Sequence, residues 1–148
     1  MNRDDVELIE AAKAVVGGFC LRDEFSAGTV GAAIRTAKGN IYTGICIDLA
    51  CGLGFCAEVA AVAEMLKHRE TQIVAVVAVG REGVLVGPCG RCRETMAQVD
   101  RRNLRCRILL SDGRETLLQD LLPKHWLEDL RSAKPSRGAN AAAPRRSL

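Results

Sequence analysis

Cys56-Ala57-Glu58-Val59-Ala60-Ala61-Val62-Ala63-Glu64-Met65-Leu66-Lys67 is followed, after a short break, by Gln72-Ile73-Val74-Ala75-Val76-Val77-Ala78-Val79. The first stretch predicts an amphipathic helix over 56–67, with Val59, Val62, Ala63 and Leu66 as its inward stripe. Ala57, Ala60 and Ala61 are small enough to let that helix sit deep against a sheet. The second stretch is almost continuously β-branched and apolar, the pattern of a strand buried on both faces. A helix feeding such a strand implies a crossover connection and a sheet covered on both sides.

Upstream, 4–16 reads as a helix with Val6, Ile9, Ala12 and Val16 at helical spacing, ended by Gly17-Gly18. Residues 29–34 and 41–45 flank Lys38-Gly39-Asn40 and predict a β-hairpin. Gly31, Ala32 and Ala33 lack bulk, so a neighbour should pack closely there. A loop over 48–55 carries Gly52 and Gly54. Downstream come a turn at Arg81-Glu82-Gly83, a helix over 92–99 with Pro88 ahead of it, and a strand over 105–110. A turn at 111–114 and a short helix over 117–122, halted by Pro123, complete the order. The expected fold is α/β: a mixed five-stranded β-sheet with helices on both faces. One domain should span 1–130, and 131–148, rich in Ala, Pro, Ser and Arg, should form a disordered basic tail.

The chain has 148 residues, enough for a sizeable core, and its composition is that of a soluble globular protein. No apolar run approaches a membrane span, and Met1-Asn2-Arg3-Asp4-Asp5 does not read as a signal peptide. Seven cysteines make an odd number, so metal ligation or nucleophilic chemistry in a reducing cytoplasm is expected rather than a disulfide framework. The net charge of +3 comes from the tail. Arg131, Lys134, Arg137, Arg145 and Arg146 are unopposed there, and subtracting those five leaves −2. A mildly acidic folded part with 3% aromatics offers neither a nucleic-acid face nor a stacking platform.

Cys56 and the pair in Pro88-Cys89-Gly90-Arg91-Cys92-Arg93 stand where two helices should begin. Cys89 and Cys92, three apart, place both sulfurs on one side of a first turn. A third ligand from Cys56 gives a zinc site whose fourth position is left for water. Helix N-termini and Arg91 would offset the thiolate charge, and Glu58, two residues past Cys56, is positioned to move protons. A closed structural zinc site and a redox Cys-x-x-Cys pair are the competing readings. Neither Cys46 nor Cys51 supplies a paired fourth thiolate, and a structural site has no use for Glu58. Cys20 and Cys106, in apolar contexts, are expected in the core.

Cys-Ala-Glu followed by Pro-Cys-Gly-x-Cys-Arg resembles the all-thiolate branch of the zinc-dependent cytidine deaminases, over about residues 25–126. The resemblance implies a three-layer fold, one Zn²⁺ held by Cys56, Cys89 and Cys92, and Glu58 as the proton shuttle. The implied reaction is hydrolytic deamination of a cytosine nucleoside to its uracil product and ammonia. It also implies contact of the Ala57 backbone with the base, and a homotetramer with shared active sites. An aromatic after Leu121-Leu122-Pro123 closes over a neighbouring subunit's base in such enzymes, and Trp126 falls there.

Several positions depart from that pattern. The usual Asn-x-Glu grip on the ribose is Cys46 and Asp48 here, and a thiol is no substitute for an amide. Gly28 replaces a phenylalanine that packs on the pyrimidine, and Val59 replaces an arginine. These features resemble blasticidin-S deaminase, which acts on a cytosine nucleoside antibiotic; another aminated heterocycle is a further candidate substrate. An inactive zinc-stabilised binding domain is the non-enzymatic alternative. Expected partners are a nucleoside or analogue and further copies of the chain, with no nucleic acid or membrane.

Overall fold

A computed structural model of the chain describes residues 2–132. Helix α1 (Arg3–Ala14) opens with a reciprocal cap: Asn2 Oδ1 accepts from the Asp5 N–H at 2.8 Å, and Asp5 Oδ2 from the Asn2 N–H at 3.2 Å. Strand β1 (Phe19–Cys20) precedes β2 (Ser26–Thr36) and β3 (Ile41–Asp48). Then come α2 (Ala57–Lys67), β4 (Ile73–Val79), α3 (Gly90–Val99), β5 (Arg107–Leu109), β6 (Glu115–Leu117) and α4 (Trp126–Ser132), with 3₁₀ turns in the connections. No helix among the described residues is long and apolar enough to cross a membrane.

The predicted hairpin is β2–β3, with Ile34 opposite Tyr42 and Ala32 opposite Gly44. On its other edge β2 pairs with β1 at Ser26 and Ala27, and antiparallel with β4 from Gly31 to Thr36. Strands β3 and β4 therefore run in the same direction, with α2 crossing over β2 between them. Strands β4 and β5 are parallel, joined through α3, and β6 closes the edge antiparallel to β5. The mixed sheet has helices on both faces. On one, Leu8, Ile9 and Ala12 of α1 pack against Ala33, Ala75, Val77 and Val79. On the other, Ala61, Val62 and Met65 of α2, with Met96 and Ala97 of α3, cover Ile34, Val76 and Ile108.

Six strands stand where five were expected. Strands β1 and β6, at two and three residues, are too short to show alternation. The helix expected over 117–122 is a single 3₁₀ turn, Leu118–Leu121, following β6. The inward face of α2 is rotated from the expected stripe: Ala57, Glu58, Ala61, Val62 and Met65 are buried, whereas Ala63 and Leu66 are exposed. In α1 the buried face includes Leu8, and Val6 is exposed. Cys106 is in the core as expected, and burial pushes its thiol up to about 12. Cys20 is not in the core; it lies exposed in β1. Of the tail expected from 131, Arg131 and Ser132 end α4, and 133–148 lie outside the described residues.

Candidate metal centre and active site

Cys56 is the N-cap of α2 and Cys89 the N-cap of α3, and neither side chain is taken up in a regular capping hydrogen bond. Their sulfurs are therefore free to face one another, 3.5 Å apart; Cys89 and Cys92 Sγ are also 3.5 Å apart. All three sulfurs lie within 4.8 Å of each other, and no other group of three potential ligands occurs among the described residues. A tetrahedral zinc with Zn–S of about 2.3 Å needs sulfurs roughly 3.8 Å apart. Both the donor set and its spacing fit that ion.

The sulfurs differ electrostatically. Burial raises the Cys89 thiol's pKa, but the Cys92 N–H and the neighbouring thiols outweigh it, leaving it below the ordinary value. Burial holds Cys56 above its ordinary value, with Arg91 acting in the opposite direction. Cys92 is pushed strongly upward, first by burial and then by the Glu58 carboxylate. Three adjacent sulfurs ionise together only with a cation among them, since each thiolate opposes the next.

The centre opens into a cavity of about 390 Å³. Cys56, Ala57, Glu58, Cys89, Arg91, Cys46 and Asp48 all line it, so seven of the ten residues predicted for the site meet at one place. Cys92 lies behind them, buried. Glu58 is 5% exposed, and its carboxylate has no hydrogen-bond partner among the described residues. Arg91 Nη2 donates to the Gly54 carbonyl at 3.0 Å, tying the 49–55 loop to the start of α3. Arg93 is structural: it donates to the Pro88 and Leu121 carbonyls.

Gly28 and Trp126 do not line the cavity. Gly28 has φ +76° at an irregularity of β2, and a Cβ there would stand 2.6 Å from the Gly17 carbonyl oxygen. Trp126 is half exposed, and its indole N–H donates to Glu94 Oε1 at 2.7 Å. Sequence reasoning missed Thr29, Val30, Phe55 and Val86 on the cavity wall. Thr29 follows a glycine that forces an irregular backbone, the one local signal that would have flagged it.

A carboxylate buried beside three sulfurs that could hold a metal ion, at paired helix N-termini on an α/β mixed sheet covered on both faces, defines the candidate site. No protein-family model matches the chain. Cytidine deaminase from Mycobacterium tuberculosis is 30% identical over 122 residues, covering 81% of this chain and 87% of that protein. Blasticidin-S deaminase from Bacillus cereus is 30% identical over 106 residues, covering 66% and 74%. The crystal structure of cytidine deaminase from Mycobacterium leprae superposes with a TM-score of 0.70 at 26% identity, covering 83% of this chain and 100% of that one. The chain belongs to the cytidine deaminase family and, with it, to the hydrolytic deaminases.

Proposed function

We propose that this protein is a zinc-dependent hydrolase converting a cytosine nucleoside, or a close analogue, to the uracil product and ammonia. One observation carries the reading: three cysteine sulfurs lie within 4.8 Å of one another, and two of them, Cys56 and Cys89, share a cavity wall with the buried Glu58, whose carboxylate has no hydrogen-bond partner among the described residues. Zinc held by Cys56, Cys89 and Cys92 supplies the Lewis acidity that makes water nucleophilic near neutral pH. The protein's own groups do the rest. Two helix N-termini and Arg91 offset the charge of three thiolates. The Glu58 carboxylate moves one proton from the attacking water to ring N3 and a second to the departing amine. A C–O bond forms, the exocyclic C–N bond breaks, and ammonia leaves. The Ala57 backbone contacts the base, and Asp48 accepts from the sugar.

A second reading, a cytosine nucleoside antibiotic as substrate, is favoured by Cys46, whose buried thiol stands where an amide would grip the ribose. It is also supported by the likeness to blasticidin-S deaminase. We further propose a homotetramer with shared sites, in which exposed side chains such as Leu53, Val84 and Trp126 become covered. Unpaired thiols in all seven cysteines suit a reducing cytoplasm.

The test is an absorbance assay of cytidine, deoxycytidine, cytosine and blasticidin S. The intact protein is expected to turn over at least one cytosine nucleoside. Glu58→Gln should lower kcat by about 10²-fold or more while zinc is retained. Full turnover in a zinc-loaded Glu58→Gln protein would overturn the proposal.

A further inference from the structure

Two hydroxyls and a thiol converge on one oxygen of Asp48. The Thr29 hydroxyl reaches Oδ2 at 3.3 Å, the Ser26 hydroxyl at 3.4 Å and the Cys46 thiol at 3.7 Å. Thr29 Oγ1 also lies 3.1 Å from Cys46 Sγ, which accepts from the Val30 N–H at 3.3 Å. We infer that Thr29 is the positioning residue of the substrate-recognition wall, its hydroxyl joining residue 46 to Asp48 and holding that carboxylate for hydroxyl groups of the nucleoside. The inference rests on the deaminase reading above.

The local chemistry requires such a residue. A thiol is a weak donor and a weak acceptor, so Cys46 does not hold a neighbouring carboxylate as an amide would. Thr29 has one hydroxyl proton. With that proton on Asp48, the single Cys46 S–H turns to Thr29 Oγ1, the nearer acceptor at 3.1 Å against 3.7 Å for Asp48 Oδ2, and the Val30 N–H donates to the sulfur. The chain of donors then runs in one direction and ends on the carboxylate, each bond polarising the next. No described donor engages Asp48 Oδ1, so that oxygen keeps its capacity to accept from a ligand.

Backbone geometry explains how Thr29 comes to be there. Thr29 and Val30 are consecutive, yet both line the cavity, whereas a regular strand sends successive side chains to opposite faces. The break is the register shift between Ala27 and Gly31, where Gly28 has φ +76°. An irregularity of this kind re-aims a side chain beside a site. Gly28 thus acts on the cavity through its neighbour.

The experiment compares Thr29→Val and Thr29→Ser with the unaltered protein on cytidine and on 2′,3′-dideoxycytidine, which lacks the ring hydroxyls. Thr29→Val should raise KM for cytidine about tenfold, the scale of one hydrogen bond to a charged group. Its kcat should stay within about twofold, because the contact is made equally in ground and transition states. Thr29→Ser should restore KM, and the two KM values for dideoxycytidine should coincide. An unchanged KM in Thr29→Val, an equal rise on both substrates, or no rescue by serine would overturn the assignment. Calorimetric titration of cytidine into the same substitutions on a Glu58→Gln background reads the same difference as Kd. Failure of the deaminase reading registers separately, as turnover that survives Glu58→Gln.

Discussion

A Cβ on Gly44 would stand 2.3 Å from the Ala61 nitrogen and 2.6 Å from the Ala57 carbonyl oxygen. Both are backbone atoms of α2, so no side-chain rotation relieves the clash. Helix α2 therefore lies directly on β3, and its first turn carries Glu58 next to Cys56. Gly44→Ala should displace the helix and the two site residues with it, costing about 1–3 kcal/mol by overpacking. A lower urea midpoint together with weakened zinc binding is the expected result; an unchanged midpoint with full zinc would show that the contact is slack. At this scale the sequence was legible where chemistry dictates neighbours. That Cys56, Glu58, Cys89 and Cys92 come together could be anticipated because a thiolate site would require that spacing. Asn103 could not. It is fully buried, and its amide serves the Ile73 N–H at 2.7 Å and the Thr71 and Met96 carbonyls at 3.0 Å. Nothing in Arg102-Asn103-Leu104 distinguishes it from an exposed loop residue, because two of those partners lie on a separate stretch of chain.

Helices α2 and α3 place the three-sulfur cluster by their ends. Each begins at a cysteine instead of a Ser, Thr, Asp or Asn cap, so the sulfurs stay available and the unpaired N–H groups face them. That much could be read from position, because an apolar helical pattern starts just after each cysteine. The buried face of α2 could not be read to within a residue. Most of its positions are small or apolar, so periodicity leaves the rotation open until Met65 and Val62 find Ile34 and Val76. Length set a second limit. Strand β4, with seven residues, announces itself by composition. Strand β6 needs β5 beside it, since Glu115-Thr116-Leu117 alone resembles a turn. The irregularity at Gly28 belongs to this level too, because its effect on Thr29 follows from the register of β2 against β3 and not from the glycine alone.

For the molecule as a whole, the proposed homotetramer would give several exposed apolar side chains a place to be covered. Leu53 is 71% exposed, Val84 56%, Phe19 52% and Trp126 50%, large side chains left facing solvent in a single chain. Association would bury them. Light scattering is expected to give the mass of four chains; a monomer at micromolar concentration would count against shared sites. The proposed reaction depends above all on the three sulfurs holding a zinc ion beside Glu58. Elemental analysis of freshly purified protein tests it most directly. About one zinc per chain is expected, lost on Cys89→Ala because only three protein ligands would hold the ion. Zinc well below one per chain in the unaltered protein, or zinc unchanged by Cys89→Ala, would contradict it.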